Sequence, residues 1–584
     1  MKKLYPLFYF CILFLFVGCK NEFLNFDDQV LTPSGSKLFK YDFGASIQRN
    51  FQGIVLDSKG DPIENVTIDI GGSITSTDKN GFFVVNNAKV KANFALVKAS
   101  KIGYIFASKI LIPIEKTNHV QIMILPEATT SKIETGKEQT VKLSDGTEIK
   151  FDGNFKAENG KKYTGNVHVG ITNLQSSAPY FYEKMPGSLL GSSKDGTAKF
   201  LQSFGMIHVQ LTDDNGQKLQ IENQHQAEIK IPIDPTQISD SPNEIPMWTF
   251  DETLGIWREE GIAIKVGNFY VGKVSHFSNW SCCLPYIPVN LKISLKDQDG
   301  IRLENTMIDI HSKTQSIMYG KRTNEDGVIS MIVSANDLIT LKISDQCGNT
   351  VVTKTLEPSD KNMDRDVTLV FDNKTARMVT ITGIVKDCES QLVSNGLAKI
   401  NFGIPSNFSN QFVQIENGHF SLTTLACGDS NATIEVIDKN KLQSNSTTIS
   451  INKNTKIDIG EIQACANIAQ FIKLKIDNAP EQVIITGLSA GVDYDYLGIS
   501  AWDNNNLIFS ISSRSSILKE GTYTNGFHVL LGNSNNSIDT SNLTLIITKF
   551  GNVGEFIDFS LSGSYIENGI SHQLQVKGHV KRLY

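Results

Sequence analysis

The chain has 584 residues, of which 40% are hydrophobic and 20% charged, and its formal net charge is −6 at pH 7. A mildly acidic chain lacks the basic surface that binds a phosphate backbone, so we expect no nucleic-acid partner. The length exceeds what one hydrophobic core usually supports, and it therefore predicts several domains.

The N-terminus, residues 1–18, predicts a secretion signal. Lys2 and Lys3 precede an apolar run that is too short to cross a bilayer comfortably and that ends in Phe16-Val17-Gly18-Cys19. This ending resembles the lipobox of bacterial lipoproteins, although Phe16 stands where the strict pattern prefers leucine. The resemblance implies cleavage before Cys19 and acylation of that residue. The alternatives are an ordinary signal peptide with an incidental cysteine, or an uncleaved membrane anchor.

Residues 19–43 form a predicted tether between Cys19 and the first domain. Lys20-Asn21-Glu22 and then Asp27-Asp28 make this segment acidic. It resembles, in diluted form, the surface-export signal of Bacteroidetes lipoproteins. The resemblance implies an outer-membrane lipoprotein held to the membrane by its lipid, with surface display slightly favoured over the periplasmic face.

A loose internal repeat follows, in which short alternating strands are separated by turns rich in Asp, Asn and Gly. Such alternation every eight to twelve residues is typical of β-sandwiches. The three copies include residues 53–57, 60–66 and 77–83, then 295–305 and 323–328, then 383–388, 393–396 and 416–420. They resemble the carboxypeptidase regulatory-like domain, a seven-stranded transthyretin-like sandwich, and collagen-adhesin B-type repeats. The resemblance implies folding, spacing or docking modules without catalytic residues.

The predicted fold class is all-β, with tandem transthyretin-like or Ig-like β-sandwich domains after a lipoprotein signal peptide. The middle segment resembles the β-rich region of matrix proteins of the cartilage intermediate layer type, through Ile245–Glu252 and His276–Trp280, which implies an extracellular module. Within it, the Pro-, Gly- and Ser-rich stretch 177–193 predicts a loop or a short helix. We expect domains at residues 44–127, 128–286, 287–373, 374–464 and 465–584.

Six cysteines follow the tether, all in the second half of the chain. Their wide spacing favours disulfides over a metal site, and six cysteines allow fifteen pairings. We predict that Cys282 or Cys283 bonds Cys347 and that Cys388 bonds Cys427. The remaining candidate is Cys465.

Three aromatic residues of the middle segment are candidates for stacking on sugar rings. Trp248 and Phe250 alternate on one predicted strand, and Trp257 follows a turn that contains Asp251 and Glu252. A binding platform requires this arrangement, but a buried sandwich core requires it equally, and we favour the core. The two adjacent carboxylates predict a hairpin turn rather than a glycosidase pair, since neighbours on a strand point to opposite faces.

The sequence therefore predicts a non-catalytic envelope protein: a rod of β-sandwiches that binds or adheres to a protein or a glycan. We predict no catalytic residue, no cofactor and no metal site. Two alternatives remain open. One is an accessory subunit of an outer-membrane nutrient-uptake complex, and the other is a glycan or peptide hydrolase with its site in residues 128–286.

Overall fold

The computed structural model describes residues 40–583, apart from gaps at 314–316, 373–375, 404–409, 441–442, 452–454, 466, 469, 478, 480–481, 485–486, 494–495, 504–505, 514–518, 533–536 and 568–569. This part of the chain is almost entirely β-strand, which confirms the predicted tandem β-sandwich fold class. Its helices are α1 (Phe181–Lys184) and one 3-10 helix (Pro235–Asp240), and neither is long enough to span a membrane.

The first module packs a three-stranded sheet, in the order β4-β1-β7, against a four-stranded sheet, β3-β2-β5-β6. Strands β1 and β7 are parallel, and the other pairs are antiparallel. The strands are β1 (Ser46–Leu56), β2 (Thr67–Ile70), β3 (Ser73–Ser76), β4 (Phe82–Lys91), β5 (Ala95–Ser100), β6 (Ala107–Leu111) and β7 (Thr117–Met123).

The middle module is one 14-stranded sheet that folds around its own core and contains α1. Its main path is β12-β11-β16-β15-β21-β18-β19-β20-β17-β10-β9, and β8, β13 and β14 join it at β15 and β19. The strands are β8 (Ser131–Glu134), β9 (Gln139–Lys142), β10 (Glu148–Phe151), β11 (Phe155–Ala157), β12 (Lys162–Tyr163), β13 (Asn166–Leu174), β14 (Leu190–Ser192), β15 (Ala198–Thr212), β16 (Lys218–Ile221), β17 (Ala227–Pro232), β18 (Glu244–Asp251), β19 (Ile256–Val266), β20 (Phe269–Val274) and β21 (Asn279–Tyr286).

The third and fourth modules repeat the topology of the first. Their three-stranded sheets run β25-β22-β28 and β32-β29-β35, and their larger sheets run β24-β23-β26-β27 and β31-β30-β33-β34-β36. In both, the central strand again has a parallel partner, and the repeat predicted from the sequence is thereby confirmed. The strands are β22 (Pro288–Lys296), β23 (Met307–Ser312), β24 (Ile317–Arg322), β25 (Val328–Ser334), β26 (Ile339–Ser344), β27 (Thr350–Leu356), β28 (Met363–Thr368), β29 (Ala376–Lys386), β30 (Gly396–Asn401), β31 (Gln411–Ile415), β32 (His419–Cys427), β33 (Ser430–Asp438), β34 (Gln443–Ile451), β35 (Lys456–Gln463) and β36 (Asn467–Ile468).

The C-terminal module packs a six-stranded sheet, β38-β37-β46-β45-β44-β42, against a four-stranded one, β39-β40-β41-β43. Its core is separate from the cores of the other modules. The strands are β37 (Phe471–Ile476), β38 (Gln482–Ile484), β39 (Leu488–Asp493), β40 (Tyr496–Asp503), β41 (Asn506–Ser513), β42 (Gly521–Tyr523), β43 (Phe527–Leu531), β44 (Leu543–Phe550), β45 (Phe556–Glu567) and β46 (Ile570–Lys581).

One aspartate ends the first strand of each repeated module and builds the turn that follows. A side-chain oxygen of Asp57, Asp297 and Asp387 accepts hydrogen bonds from the backbone N–H groups two and four residues later. The turn needs a left-handed residue, which Gly60 and Gly300 provide without a steric penalty. Local chemistry thus sets the direction in which the second strand leaves the first.

A buried threonine completes the first and third modules in the same way. The hydroxyl of Thr77 accepts from the N–H of Val66 at 2.9 Å and donates to the carbonyl of Ile63 at 2.7 Å. Thr323 makes the equivalent contacts with Thr306 and Leu303. The hydroxyl therefore replaces a backbone partner at a point where the strands separate.

Removing this hydroxyl is expected to destabilise the first module. Thr77→Val keeps the shape but leaves a buried N–H and a buried carbonyl without their partner, so we expect a loss of about 1–3 kcal/mol of unfolding free energy. Denaturant unfolding of the full chain measures it, with Thr77→Ser as the control that keeps the hydroxyl. Wild-type stability of Thr77→Val, with a loss confined to Thr77→Ser, would show that the methyl group rather than the hydrogen bonds matters.

The first four modules are packed together around a shared core. Ile110 of the first module, Trp248 of the middle module, Leu291 of the third and Leu425 of the fourth belong to one buried apolar cluster. The first and fourth modules also contact each other through an ion pair between Asp78 and Lys439 (3.1 Å). The predicted rod is therefore wrong for these modules, because apolar surface on each of them is buried against the others.

Candidate functional site

The three candidate sugar-stacking aromatics are core residues. Trp248 and Trp257 are fully buried, Phe250 is 4% exposed, and the indole N–H of Trp248 donates to the carbonyl of Cys283 at 3.1 Å. The rings of Phe250 and Trp257 pack edge to face with centroids 5.2 Å apart. The core interpretation favoured for Trp248, Phe250 and Trp257 is confirmed, and the alternative role in ligand stacking is wrong, because the shared core covers the face of the sheet that carries them.

The structure pairs the cysteines differently from the prediction. Cys347 bonds Cys427, and Cys388 bonds Cys465, with Cα–Cα distances of 5.7 and 5.1 Å. The predicted Cys388–Cys427 bond is wrong because Cys388 follows β29 and Cys465 follows β35, its parallel neighbour. Cys427 instead lies at the boundary with the third module, where the N–H of Gln346 donates to the carbonyl of Leu425 at 3.1 Å.

The predicted bond from Cys282 or Cys283 to Cys347 is also wrong. Both residues are free and buried in β21, in the interior of the middle sheet. Their side chains point to opposite faces, into two different cores. Burial raises the pKa of the Cys283 thiol to about 12, so it stays protonated. The lipidation candidate, Cys19, lies outside the described residues.

A cavity of about 100 Å³ lies where the first, middle, third and fourth modules meet, and we call it the junction cavity. The first module contributes its β1 and β7 strands and Lys109, and the middle module contributes α1. Its described lining consists of Gln52, Gly53, Ile54, Phe82, Lys109, Ile110, Leu111, His119, Val120, Gln121, Tyr182, Glu183, Asn305, Met307, Gly320, Lys321, Arg322, Asn410, Gln411 and Phe412.

The cavity forms where edge strands of different sheets converge. Strands β6 and β7 are edges of the two sheets of the first module, β24 is an edge in the third, and β31 is an edge in the fourth. Edge strands carry unpaired backbone groups that proteins cover or protect with charge. Here β6 is fully buried, and its residue Ser108 accepts a hydrogen bond from the N–H of Gly187 in the middle module.

Lys109 is the most buried charged residue of the cavity wall, with 5% exposure. Its ammonium donates to the carbonyls of Tyr182 and Met185, both at 2.6 Å, and lies 5.3 Å from the centre of the Tyr182 ring. Burial lowers its pKa to about 7, although the charge of Glu183 acts in the opposite direction. The neutral amine keeps two N–H groups, which is enough for its two hydrogen bonds to carbonyls. Loss of the third proton therefore removes the charge without requiring either hydrogen bond to break.

Glu183 and Lys321 both line the cavity and do not form a close ion pair with each other. Glu183 lies on α1, is 7% exposed, and has its pKa raised by burial while Lys109 and Lys321 oppose the rise. Lys321 lies at the end of β24, and burial lowers its pKa.

Arg322 and His119 form the adjoining part of the wall. Arg322 donates to the carbonyl of Asn305 at 2.8 Å, and burial lowers its pKa to about 10. Burial and the charge of Arg322 together lower the pKa of His119 to about 4, so the imidazole is neutral at pH 7. Its Nδ1 lies 3.2 Å from the amide nitrogen of Gln52.

Direct contacts between the first and third modules hold this wall in place. Glu325 accepts hydrogen bonds from the N–H and the hydroxyl of Thr117. Asn324 donates to the carbonyl of Glu115 at 2.8 Å, and Lys116 pairs with Asp326 at 3.1 Å. These contacts are partly buried, and they fix the separation of β7 and β24.

The junction cavity was missed by sequence reasoning, because none of its charged residues stands in a recognisable motif. One signal was available: Lys109 stands between the small residues Ala107 and Ser108 and the apolar run Ile110–Ile112. A lysine in a strand that is buried along its whole length requires special partners. The stretch 177–193, predicted as a loop or short helix, does contain α1 and supplies two wall residues.

No protein-family model and no curated protein sequence matches this chain. Solved structures similar to it include the shaft pilin spaA of Lactobacillus rhamnosus GG, at 11% identity over 30% of this chain and 97% of the pilin, with a TM-score of 0.17. The Bacillus anthracis TIE protein matches at 8% identity over 89% of this chain and 74% of its own, with a TM-score of 0.16. Likenesses this weak carry no inference about function.

Proposed function

We propose that this chain is a non-catalytic, lipid-anchored protein of the bacterial cell envelope that binds a glycan or protein ligand. Acylation of Cys19 holds it at the outer membrane, and the repeated sandwiches are carboxypeptidase regulatory-like modules that support a binding surface. The sequence at the N-terminus supports the anchor, and the shared topology of the three copies supports a common module.

The observation that carries the proposal is the junction cavity itself. Four modules contribute to one cavity that opens to solvent, and residues far apart in the chain are brought together in its wall. Concave sites between domains, with a few charged groups among apolar and aromatic ones, are typical ligand-binding sites. A packing defect would instead be small, apolar and closed.

The lining favours binding over hydrolysis. A glycosidase of the usual type requires two carboxylates across the scissile bond, and Glu183 is the one carboxylate among the described lining residues. The other charged groups of the wall are cations, which attract and orient an anion but do not replace the second acid.

A glycan array and a pull-down from envelope extracts, both with the full chain in detergent, test the binding function. We expect saturable binding to a defined ligand class. Release of reducing ends or peptides from a polymer, without any retained ligand, would show that the protein is an enzyme and would overturn the proposal.

The anchor predicts a strong effect of one substitution. Cys19→Ala removes the only acylation site of the proposal, so we expect the protein to move from the membrane fraction to the soluble fraction, because the acyl chains provide the membrane affinity. Cys11→Ala, which removes the cysteine inside the apolar run, is the matched control and is expected to stay in the membrane fraction. Retention of Cys19→Ala in the membrane would exclude the lipid anchor.

A further inference from the structure

The junction cavity collects positive charge without a matching number of carboxylates. Lys109, Lys321 and Arg322 line it, against one lining carboxylate, Glu183, in the described part of the chain. Within that part, none of the three cations has a carboxylate oxygen within 4.0 Å. Buried and half-buried cations without a close counter-charge are costly, so a protein rarely gathers three of them without an anion to hold.

His119 adds a hydrogen-bond donor to the same wall. Because the amide nitrogen of Gln52 donates to Nδ1, the neutral ring carries its proton on Nε2. That nitrogen is buried and has no partner among the described residues. A buried donor without a partner is uncommon in folded proteins and requires an explanation, such as a bound water or ion that supplies the acceptor.

The rest of the lining fits the body of a sugar. Gln121 and Gln411 bring carboxamides, which both donate to and accept from hydroxyl groups. Phe412 and Tyr182 bring aromatic rings, and Phe412 is stacked on Phe82 with centroids 5.0 Å apart, which fixes its orientation. Aromatic rings present flat apolar surface to the C–H face of a pyranose ring.

We propose that the junction cavity binds a single acidic sugar residue, whose carboxylate is held by Arg322, while Lys321 and Lys109 add positive charge to the wall. This inference rests on the proposed binding function and names its ligand class. The volume of about 100 Å³ accommodates one small ring rather than an oligosaccharide, and the opening to solvent leaves room for the remainder of a glycan. Arginine binds carboxylates through paired N–H donors, and lysine adds a point charge.

Calorimetric titration of the full chain in detergent micelles tests the inference with three probes. Glucuronate carries both the ring and the charge, glucose carries the ring alone, and inorganic sulfate carries the charge alone. We expect glucuronate to bind at least about tenfold more tightly than either of the others, because charge-assisted hydrogen bonds contribute most of the affinity. Equal affinity for sulfate would overturn the sugar assignment, and equal affinity for glucose would overturn the role of the cations.

Substitutions then locate the site. Lys321→Gln and Arg322→Gln are each expected to weaken glucuronate binding about tenfold or more. Lys354→Gln is the matched control, since Lys354 lies exposed on β27 of the same sheet and loses the same charge. Thermal unfolding of all three confirms that they are folded. Unchanged glucuronate affinity in both cavity variants would place the anion elsewhere and overturn the inference.

The pH dependence provides a readout that a purely structural role would not change. The groups that face Lys109 are Tyr182 and Glu183 of α1 and Lys321 of β24. Because Lys109 loses its charge near pH 7, glucuronate affinity is expected to fall between pH 6 and pH 8.5, while the carboxylate of the ligand stays ionised throughout. Affinity that is constant over this range would contradict a contribution from Lys109.

The two proposals fail in different ways. If the full chain retains neutral glycans or proteins, and Lys321→Gln leaves that retention unchanged, the binding function stands and the acidic-sugar inference is overturned. If the chain retains neither glycans nor proteins and binds no glucuronate, the binding function itself is overturned.

Discussion

Replacing Trp248 with alanine is expected to lower the free energy of unfolding by about 3–5 kcal/mol. The side chain is fully buried in the shared core, where its ring lies against Gly191 and its N–H donates to the carbonyl of Cys283. The substitution therefore removes a large apolar surface, leaves a cavity, and also leaves a buried carbonyl without its partner. Guanidinium unfolding of the full chain, followed by far-ultraviolet circular dichroism, measures the loss.

Trp502→Ala is the matched control for this experiment. Trp502 lies in β40 of the C-terminal module and is 44% exposed, so the same change of side chain removes little buried surface. We expect a change of about 0.5 kcal/mol or less. Equal losses in the two variants would mean that the shared core is not continuous through Trp248. Sugar binding that disappears in a folded Trp248→Ala protein would restore the stacking role that its burial excludes.

Loss of the Cys347–Cys427 disulfide is expected to have the second-largest effect, about 2–5 kcal/mol of unfolding free energy. The bond closes a loop of 80 residues between the third and fourth modules, so Cys347→Ala restores much chain entropy to the unfolded state. The same two modules remain in contact through the Gln346 side chain, which donates to Thr424 at 2.6 Å. The variant therefore loses stability without losing the fold.

Denaturant unfolding with and without a reductant separates the disulfide from the side chain. Reductant opens the Cys388–Cys465 bond in both chains and the Cys347–Cys427 bond in the wild type, so the difference in stability between wild type and Cys347→Ala is expected to vanish. Cys282→Ala controls for removal of a cysteine, since Cys282 is free. If Cys347→Ala had the same unfolding free energy as the oxidised wild type, the disulfide would not contribute to stability.

Several parts of the fold follow from short stretches of sequence. The run Asp78-Lys79-Asn80-Gly81 predicts a hairpin turn, and in the structure a side-chain oxygen of Asp78 accepts from the N–H groups of Asn80 and Phe82. The predicted turn at Asp251 is likewise confirmed: it accepts from two backbone N–H groups of the turn and pairs with Arg258 at 2.8 Å. These features are predictable because each depends on residues only a few positions apart.

The candidate site was not predictable in this way. Thr117 and Glu325 are 208 residues apart, and nothing in either neighbourhood indicates that one binds the other. The pairing of Cys388 with Cys465 depends on which strand lies parallel to β29, a choice that strand patterns leave open.

The sequence by itself determined the all-β character of this protein, the three related sandwiches and the turns that direct their strands. The alternation of apolar and polar residues and the turn residues act over a few positions, so they can be recognised in the sequence alone. Only the tertiary structure decided that Trp248 faces a core, which cysteines pair, and that Lys109 and Lys321 line one cavity. Those outcomes depend on how the edges of separately formed sheets dock, and the free energy of docking comes from surfaces that no local pattern describes.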